Sequence, residues 1–220
     1  MPFLPLPKLR GQMVAVSHRL HHNGWVANHD GNASVRLTGR RYLITCSSVS
    51  KRDVDDASLL LVDGEGKVLE GRRKPFSELD LHLVLYRSRP DVDAVLHAHP
   101  PYATAWGLTG KDLAPIAMPE IIVSLGDRIP TLPRTLPRDP SATATLGAEA
   151  RGCDAMLVSG NGVFTCGADL TQALLRMELV EHYTKILHLA SGRGPVAGLS
   201  DSEIQTLLAL RPKTAAGPKG

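Results

Sequence analysis

The sequence predicts an α/β fold built on a mostly antiparallel sheet. Segments with the two-residue period of strands alternate with segments of helical period from end to end. The early strands are separated by tight turns at 38–40 and 63–66, so they pair as hairpins rather than run parallel. The chain has 220 residues, 43% of them hydrophobic, which is enough for one core without disulfide or metal support. No linker, repeat or low-complexity block interrupts it, so a single domain over 1–220 is expected.

Each element has a local cause. Leu9, Met13, Val16 and Leu20 stand at helical spacing, and Gly24 is placed to stop that helix. Residues 35–37 and 42–45 flank the first turn, and 58–62 form a third strand. The turn Asp63-Gly64-Glu65-Gly66 leads into a fourth strand at 67–70. Ser77 is placed to cap a helix carrying Leu79, His82, Leu83 and Tyr86, which stops before Arg89-Pro90. Residues 94–99 form a strand ended by Pro100-Pro101, and a short helix follows over 102–108. The 119–125 segment is apolar and of undecided type. The prolines between 129 and 140 impose an extended, irregular path, and Ser141 is placed to cap the next helix. Strands at 156–158 and 163–165 flank the turn Gly160-Asn161-Gly162. Asp169 caps a long helix to about residue 189, and Ser200 with Glu203 makes a capping box for a last one. The tail after about 212 is expected to be mobile unless a partner subunit holds it.

Composition excludes several classes. Lys+Arg 25 against Asp+Glu 22 leaves a small, scattered excess, and aromatics are 4%, which argues against nucleic acid as a partner. Cys46, Cys153 and Cys166 lack C-x-x-C spacing and read as reduced thiols of a cytoplasmic protein. MPFLPLPK at the N-terminus has three prolines and no apolar run long enough for a signal, and no segment approaches the ~18 apolar residues that span a bilayer, so neither secretion nor membrane insertion is expected.

Chemistry concentrates in three places. His97 and His99 stand two apart in an apolar strand, so both side chains point to one face and can share a metal ion. The alternative is two polar residues on an exposed strand end. Glu78 sits at a helix start, where the dipole favours carboxylate; plain capping is its alternative role. Asp30-Gly31-Asn32-Ala33-Ser34 precedes a strand and can form a tight turn whose amides bind an anion, or an ordinary turn.

In this order the segments resemble the class II aldolase/adducin family. The resemblance rests on GNASVR at 31–36, YLIT at 42–45, DGEGKVLEG at 63–71, PFSE at 75–78, RPDVDAVLHAHP at 89–100, PEIIVSLG at 119–126 and RMELVEH at 176–182. It implies three α/β/α layers around a mainly antiparallel central sheet. It also implies a homotetramer with active sites between neighbouring subunits. His97, His99 and a later histidine are expected to hold a divalent metal, zinc foremost. A small hydroxy-carbonyl substrate chelates that metal, which stabilises the enediolate left by carbon–carbon cleavage. Glu78 is expected to ligate the empty metal and then shuttle a proton. A glutamate here, rather than an aspartate, favours aldolase over epimerase chemistry.

The pattern departs from the family at Asn161, which stands where the third histidine is expected. An amide oxygen is a weaker ligand than imidazole. Either Glu78, His97 and His99 hold the metal with Asn161 or water, an arrangement that also suits iron or manganese, or metal binds weakly, or the site is inactive and the chain an adducin-like interaction module. Decarboxylation, dehydration, epimerisation and iron-dependent oxidation are the other chemistries of such a scaffold. For a phosphorylated substrate the resemblance points to Asn32, Ser77, and Ser47 or Ser48. Phe76 replaces a second serine and His29 occupies a usually small position, changes expected to cost a phosphate ~1–3 kcal/mol. Glu120 is a second acid candidate, against a solvated carboxylate at a helix start. Arg128, Arg134 and Arg138 are set to meet an anionic substrate or to be plain solvated charge.

Overall fold

The computed structural model describes residues 5–134 and 139–211. Arg138 and the tail after 212 lie outside them. Helix α1 (Leu6–His22) buries Leu9, Met13, Val16 and Leu20, the stripe that its spacing predicts. Strands β1 (Asn32–Leu37), β2 (Arg41–Thr45), β3 (Leu59–Val62) and β4 (Val68–Glu70) form an antiparallel meander. Helix α2 (Leu79–Ser88) crosses over, and β5 (Ala94–Ala98) returns to pair with β1. Helices α3 (Pro101–Gly107) and α4 (Pro119–Leu125), strand β6 (Thr131–Leu132) and helix α5 (Pro140–Glu149) follow. The hairpin of β7 (Ala155–Val158) and β8 (Val163–Gly167) precedes α6 (Leu170–Ser191) and α7 (Asp201–Leu210). The sheet order is β4-β3-β2-β1-β5-β8-β7-β6, and among the described residues only β6 with β7 is parallel.

Strand alternation divides the core in two. Ala33, Val35, Leu43, Leu96, Leu157 and Val163 face one way and pack with α1, α3, α4 and α6. Tyr42, Ile44, Val95, Met156 and Phe164 face the other way and pack with α2 and α5. The result is the three-layer α/β/α arrangement, and His97 shares its face with Val95, under α2. All three cysteines are free and buried, and burial pushes the Cys166 thiol up to about 12. Among the described residues, no helix is long and apolar enough to cross a membrane.

Two local expectations need correction and two open segments are resolved. Ser77 does not cap α2; Glu78 occupies the cap position without a capping bond, because its side chain is engaged elsewhere. Asp139, not Ser141, caps α5 by accepting from the Ser141 amide, with Pro140 at the first helical position where no N–H is needed. The undecided 119–125 segment is helical, also opened by a proline. The irregular 129–140 stretch contains β6, paired along Leu157 and Val158.

Candidate active site

The site forms where β1 and β5 meet the start of α2. Asn32, Ser34 and Arg36 point to the same face of β1. Asn32 reaches Glu78, Ser34 reaches His82 and Tyr86, and Arg36 reaches the carbonyls of Tyr86 and Arg89. Two strand residues advance ~6.6 Å and four helical residues ~6 Å. This near match lets alternate β1 residues zip to successive turns of α2, and it fixes Glu78 over the strand end.

Glu78 is bridged by two amides. Asn32 Nδ2 donates to Oε2 at 3.0 Å and Asn161 Nδ2 donates to Oε1 at 2.6 Å. Burial opposes its charge, but His97 and the two amides outweigh it, so the carboxyl lies below its ordinary range. The capping alternative is therefore excluded: the carboxylate faces the sheet, not its own helix.

His97 is fully buried on β5, which excludes the exposed strand-end alternative. Its Nδ1 lies 3.1 Å from the Val163 carbonyl, to which it donates, and its ring stacks on Phe164 at 4.2 Å between centroids. Burial drives the ring toward its neutral, metal-binding form against the pull of Glu78. His99 lies just past the strand end, with its amide donating to the Trp25 carbonyl. Its Nδ1 lies 3.1 Å from Asp30 Oδ2. The two Nε2 atoms face each other at 3.2 Å, and Glu78 Oε2 is 3.4 Å from His97 Nε2. His97 Nδ1 donates to a carbonyl and His99 Nδ1 faces a carboxylate, and the two Nε2 atoms converge on one point. A shared cation would fit between them.

The close approach needs glycine. A Cβ on Gly162 would stand 2.2 Å from the Ala98 carbonyl oxygen and 2.5 Å from the His99 ring, and its φ of +71° is in the left-handed region. The turn carrying Asn161 therefore presses directly on the strand that carries the histidines.

The class II aldolase and adducin N-terminal domain model matches residues 11–188. The chain belongs to the class II aldolase and adducin family. Among its relatives is the L-fuculose phosphate aldolase of Methanococcus vannielii, 29% identical over 81% of this chain and 94% of that protein. The 3-oxo-tetronate 4-phosphate decarboxylase of Escherichia coli is likewise 29% identical, over 90% of this chain and 94% of that protein. The crystal structure of YgbL from Escherichia coli superposes with a TM-score of 0.85 at 27% identity, covering 91% of this chain and 98% of that one.

In this member of the class II aldolase and adducin family, two imidazoles and a carboxylate fit a divalent cation by donor chemistry. They are not a finished cage: among the described residues, no three His, Cys, Asp or Glu side chains are poised around one point. Glu78, held by its two amides, is the carboxylate nearest the pair, 3.4 Å from His97 Nε2. Asn161, expected to offer an oxygen to the metal, here directs its amide nitrogen at Glu78. Asn32 is likewise turned inward, and its Oδ1 is buried with no hydrogen-bond partner. Ser48, at φ 60°, and Ser77 are exposed, as is His29. Glu120 is exposed in the first turn of α4 and bonds none of these groups. Arg128 pairs with Asp112 and Glu149, whereas the Arg134 guanidinium lies over Gly160, beside Asn161.

Sequence reasoning missed the contact of Asp30 with His99, reading Asp30 only as part of a turn. The signal was in the strand register. Asn32 pairs with His97, so the same pairing continued past the strand end sets Asp30 opposite His99.

Proposed function

We propose that this protein is a metal-dependent carbon–carbon lyase acting on a small hydroxy-carbonyl substrate. The observation that carries this reading is the pair of facing imidazole Nε2 atoms beside an amide-held carboxylate. His97 and His99 would hold a divalent cation, zinc foremost, with Glu78 in reach. When bound, the cation supplies Lewis-acid stabilisation of the charge that develops on the substrate's carbonyl oxygen.

Glu78 does the proton work. Kept ionised, it accepts the hydroxyl proton of the substrate as the adjacent C–C bond breaks. The electron pair of that bond passes onto the carbonyl side, and the same carboxyl returns its proton to the carbon left behind. Asn32 and Asn161 hold Glu78 in place between these steps. The buried face under α2, closed by Phe76 and Phe164, excludes water from the back of the site.

A second reading, decarboxylation of a keto acid, is favoured by the equal identity of the Escherichia coli decarboxylase. It uses the same charge stabilisation, with Glu78 relaying a proton from water to the carbon that has lost carbon dioxide. Both relatives carry phosphate in their substrate names, and we extend a phosphorylated substrate to this chain, with Ser48, Ser77, His29 and Arg134 as its exposed contacts. The reading also includes a cytoplasmic homotetramer. Exposed Leu175 and Leu189, on one side of α6, support a subunit interface.

The test is turnover of a ketose 1-phosphate and of a 3-oxo acid 4-phosphate, with and without chelator, followed in the Glu78→Gln variant. Aldehyde release identifies the aldolase and carbon dioxide release the decarboxylase. Activity that survives both chelator and substitution would reject the assignment.

A further inference from the structure

The end of the α1–β1 loop and the first residue of β1 embrace the site with two side chains at once. Asn32 holds Glu78, and Asp30, two residues earlier, holds His99. Asp30 is itself clamped. Its Oδ1 accepts from the Ala27 amide at 2.5 Å, and its own amide donates to the Ala27 carbonyl at 3.1 Å. That leaves Oδ2 directed at His99 Nδ1, 3.1 Å away. The loop can come this close because residue 31 is glycine, whose Cβ would stand 3.1 Å from the His97 carbonyl oxygen and 2.5 Å from Val26.

The two histidines differ in how their rings are held. The Nδ1 of His97 is held by a backbone carbonyl, and its ring is buried and stacked. The side chain of His99 is 30% exposed, and among the described residues only a carboxylate bonds its Nδ1. A neutral imidazole takes whichever tautomer its neighbours dictate. A carboxylate accepts only, so it demands the proton on Nδ1 and leaves Nε2 bare.

We propose that Asp30 is a positioning residue that locks His99 in the Nδ1–H tautomer and aims its Nε2 lone pair at the cation shared with His97. The proposal rests on the metal-site reading above and adds a carboxylate–histidine–cation relay to it. Such outer partners raise ligand basicity and restrict ring rotation. A site with only two histidines and a borrowed carboxylate depends on this more than one with three histidines.

Asp30→Asn tests it at nearly constant shape. Ala27 N–H would keep the amide oxygen, so the NH2 group would face His99 Nδ1 and demand the opposite tautomer. Histidine ring 15N shifts of the full, chelator-treated chain report the tautomer, and cobalt(II) titration reports affinity. We expect His99 to be Nδ1–H in the wild type and Nε2–H in Asp30→Asn. Cobalt affinity should fall ~10–100-fold and recover in part with Asp30→Glu. An Nε2–H His99 in the wild type overturns the proposal, even if the variant fails to fold. So does an affinity loss with no change of tautomer, or unchanged affinity. A wild-type chain with the expected tautomer that binds no cobalt would sink the lyase reading and leave the Asp30–His99 lock standing.

Discussion

Asn161 donates its side-chain amide to Glu78 at 2.6 Å, so the residue standing at the expected third-histidine position supports the carboxylate. Asn161→His replaces that donor by an imidazole beside His97 and His99. Divalent metal affinity should rise by an order of magnitude or more, read by competition with a coloured chelator. Unchanged affinity would show that position 161 does not face the cation.

Asn161→Ala removes the shorter of the two bonds on Glu78. A hydrogen bond to a charged group contributes ~1.5–3 kcal/mol, and its loss should raise the Glu78 carboxyl toward its ordinary value. The acid limb of the pH–rate profile should move to higher pH. An acid limb at its original position would show that Asn161 does not hold the ionised form.

Glu78→Gln keeps the shape and both amide neighbours while removing the exchangeable proton. Turnover should fall ~10²–10⁴-fold, the range of a positioned acid–base group, with cobalt still bound at the histidines. Turnover within a few-fold of wild type would assign the proton work to another group, Glu120 being the first to examine.

Acid stability should report His82. Burial, aided by His97, lowers its pKa to about 3 while its Nδ1 bonds Ser34. Unfolded, it takes a proton near pH 6.5. Between about 6.5 and about 3 the unfolded chain holds the extra proton, so the stability this group confers is present above that window and is lost as pH falls through it. His82→Phe suits a site already lined by Phe76 and Phe164. Urea melts from pH 7.5 to 4 should show a shallower acid loss in the variant. Parallel curves would mean that His82 does not titrate across unfolding.

Asp154 gathers three arginines in the core: Arg89 at 2.8 Å, Arg176 at 2.6 Å, and Arg211 from the end of the described chain. Asp154→Ala leaves three cations converging on one buried position. Breaking a buried pair in this way costs ~3–5 kcal/mol, and the midpoint of denaturant unfolding should drop accordingly. A change below 1 kcal/mol would show that water reaches the cluster.

Much of this was legible in the residues. The strands, their turns, the Asp169 and Ser200 caps and the antiparallel sheet follow from local chemistry that acts within a few positions. His97, His99 and Glu78 were legible as candidates, and the fold sets His99 Nε2 3.2 Å and Glu78 Oε2 3.4 Å from His97 Nε2. What the sequence hid depends on register and side-chain orientation. Asn161 turns its amide toward Glu78 because a carboxylate needs donors, and spacing alone cannot show that. Asp30 faces His99 only because β1 and β5 pair antiparallel at Asn32 and His97. Ser77 failed as a cap because α2 begins two residues later, with its cap side chain drawn to the sheet.

Anomalous diffraction from crystals soaked in zinc decides whether the paired imidazoles are a metal centre. The expected result is one peak ~2.0–2.1 Å from Nε2 of both His97 and His99, with Glu78 or a substrate oxygen as a further ligand. A map with no peak there at saturating zinc would contradict it.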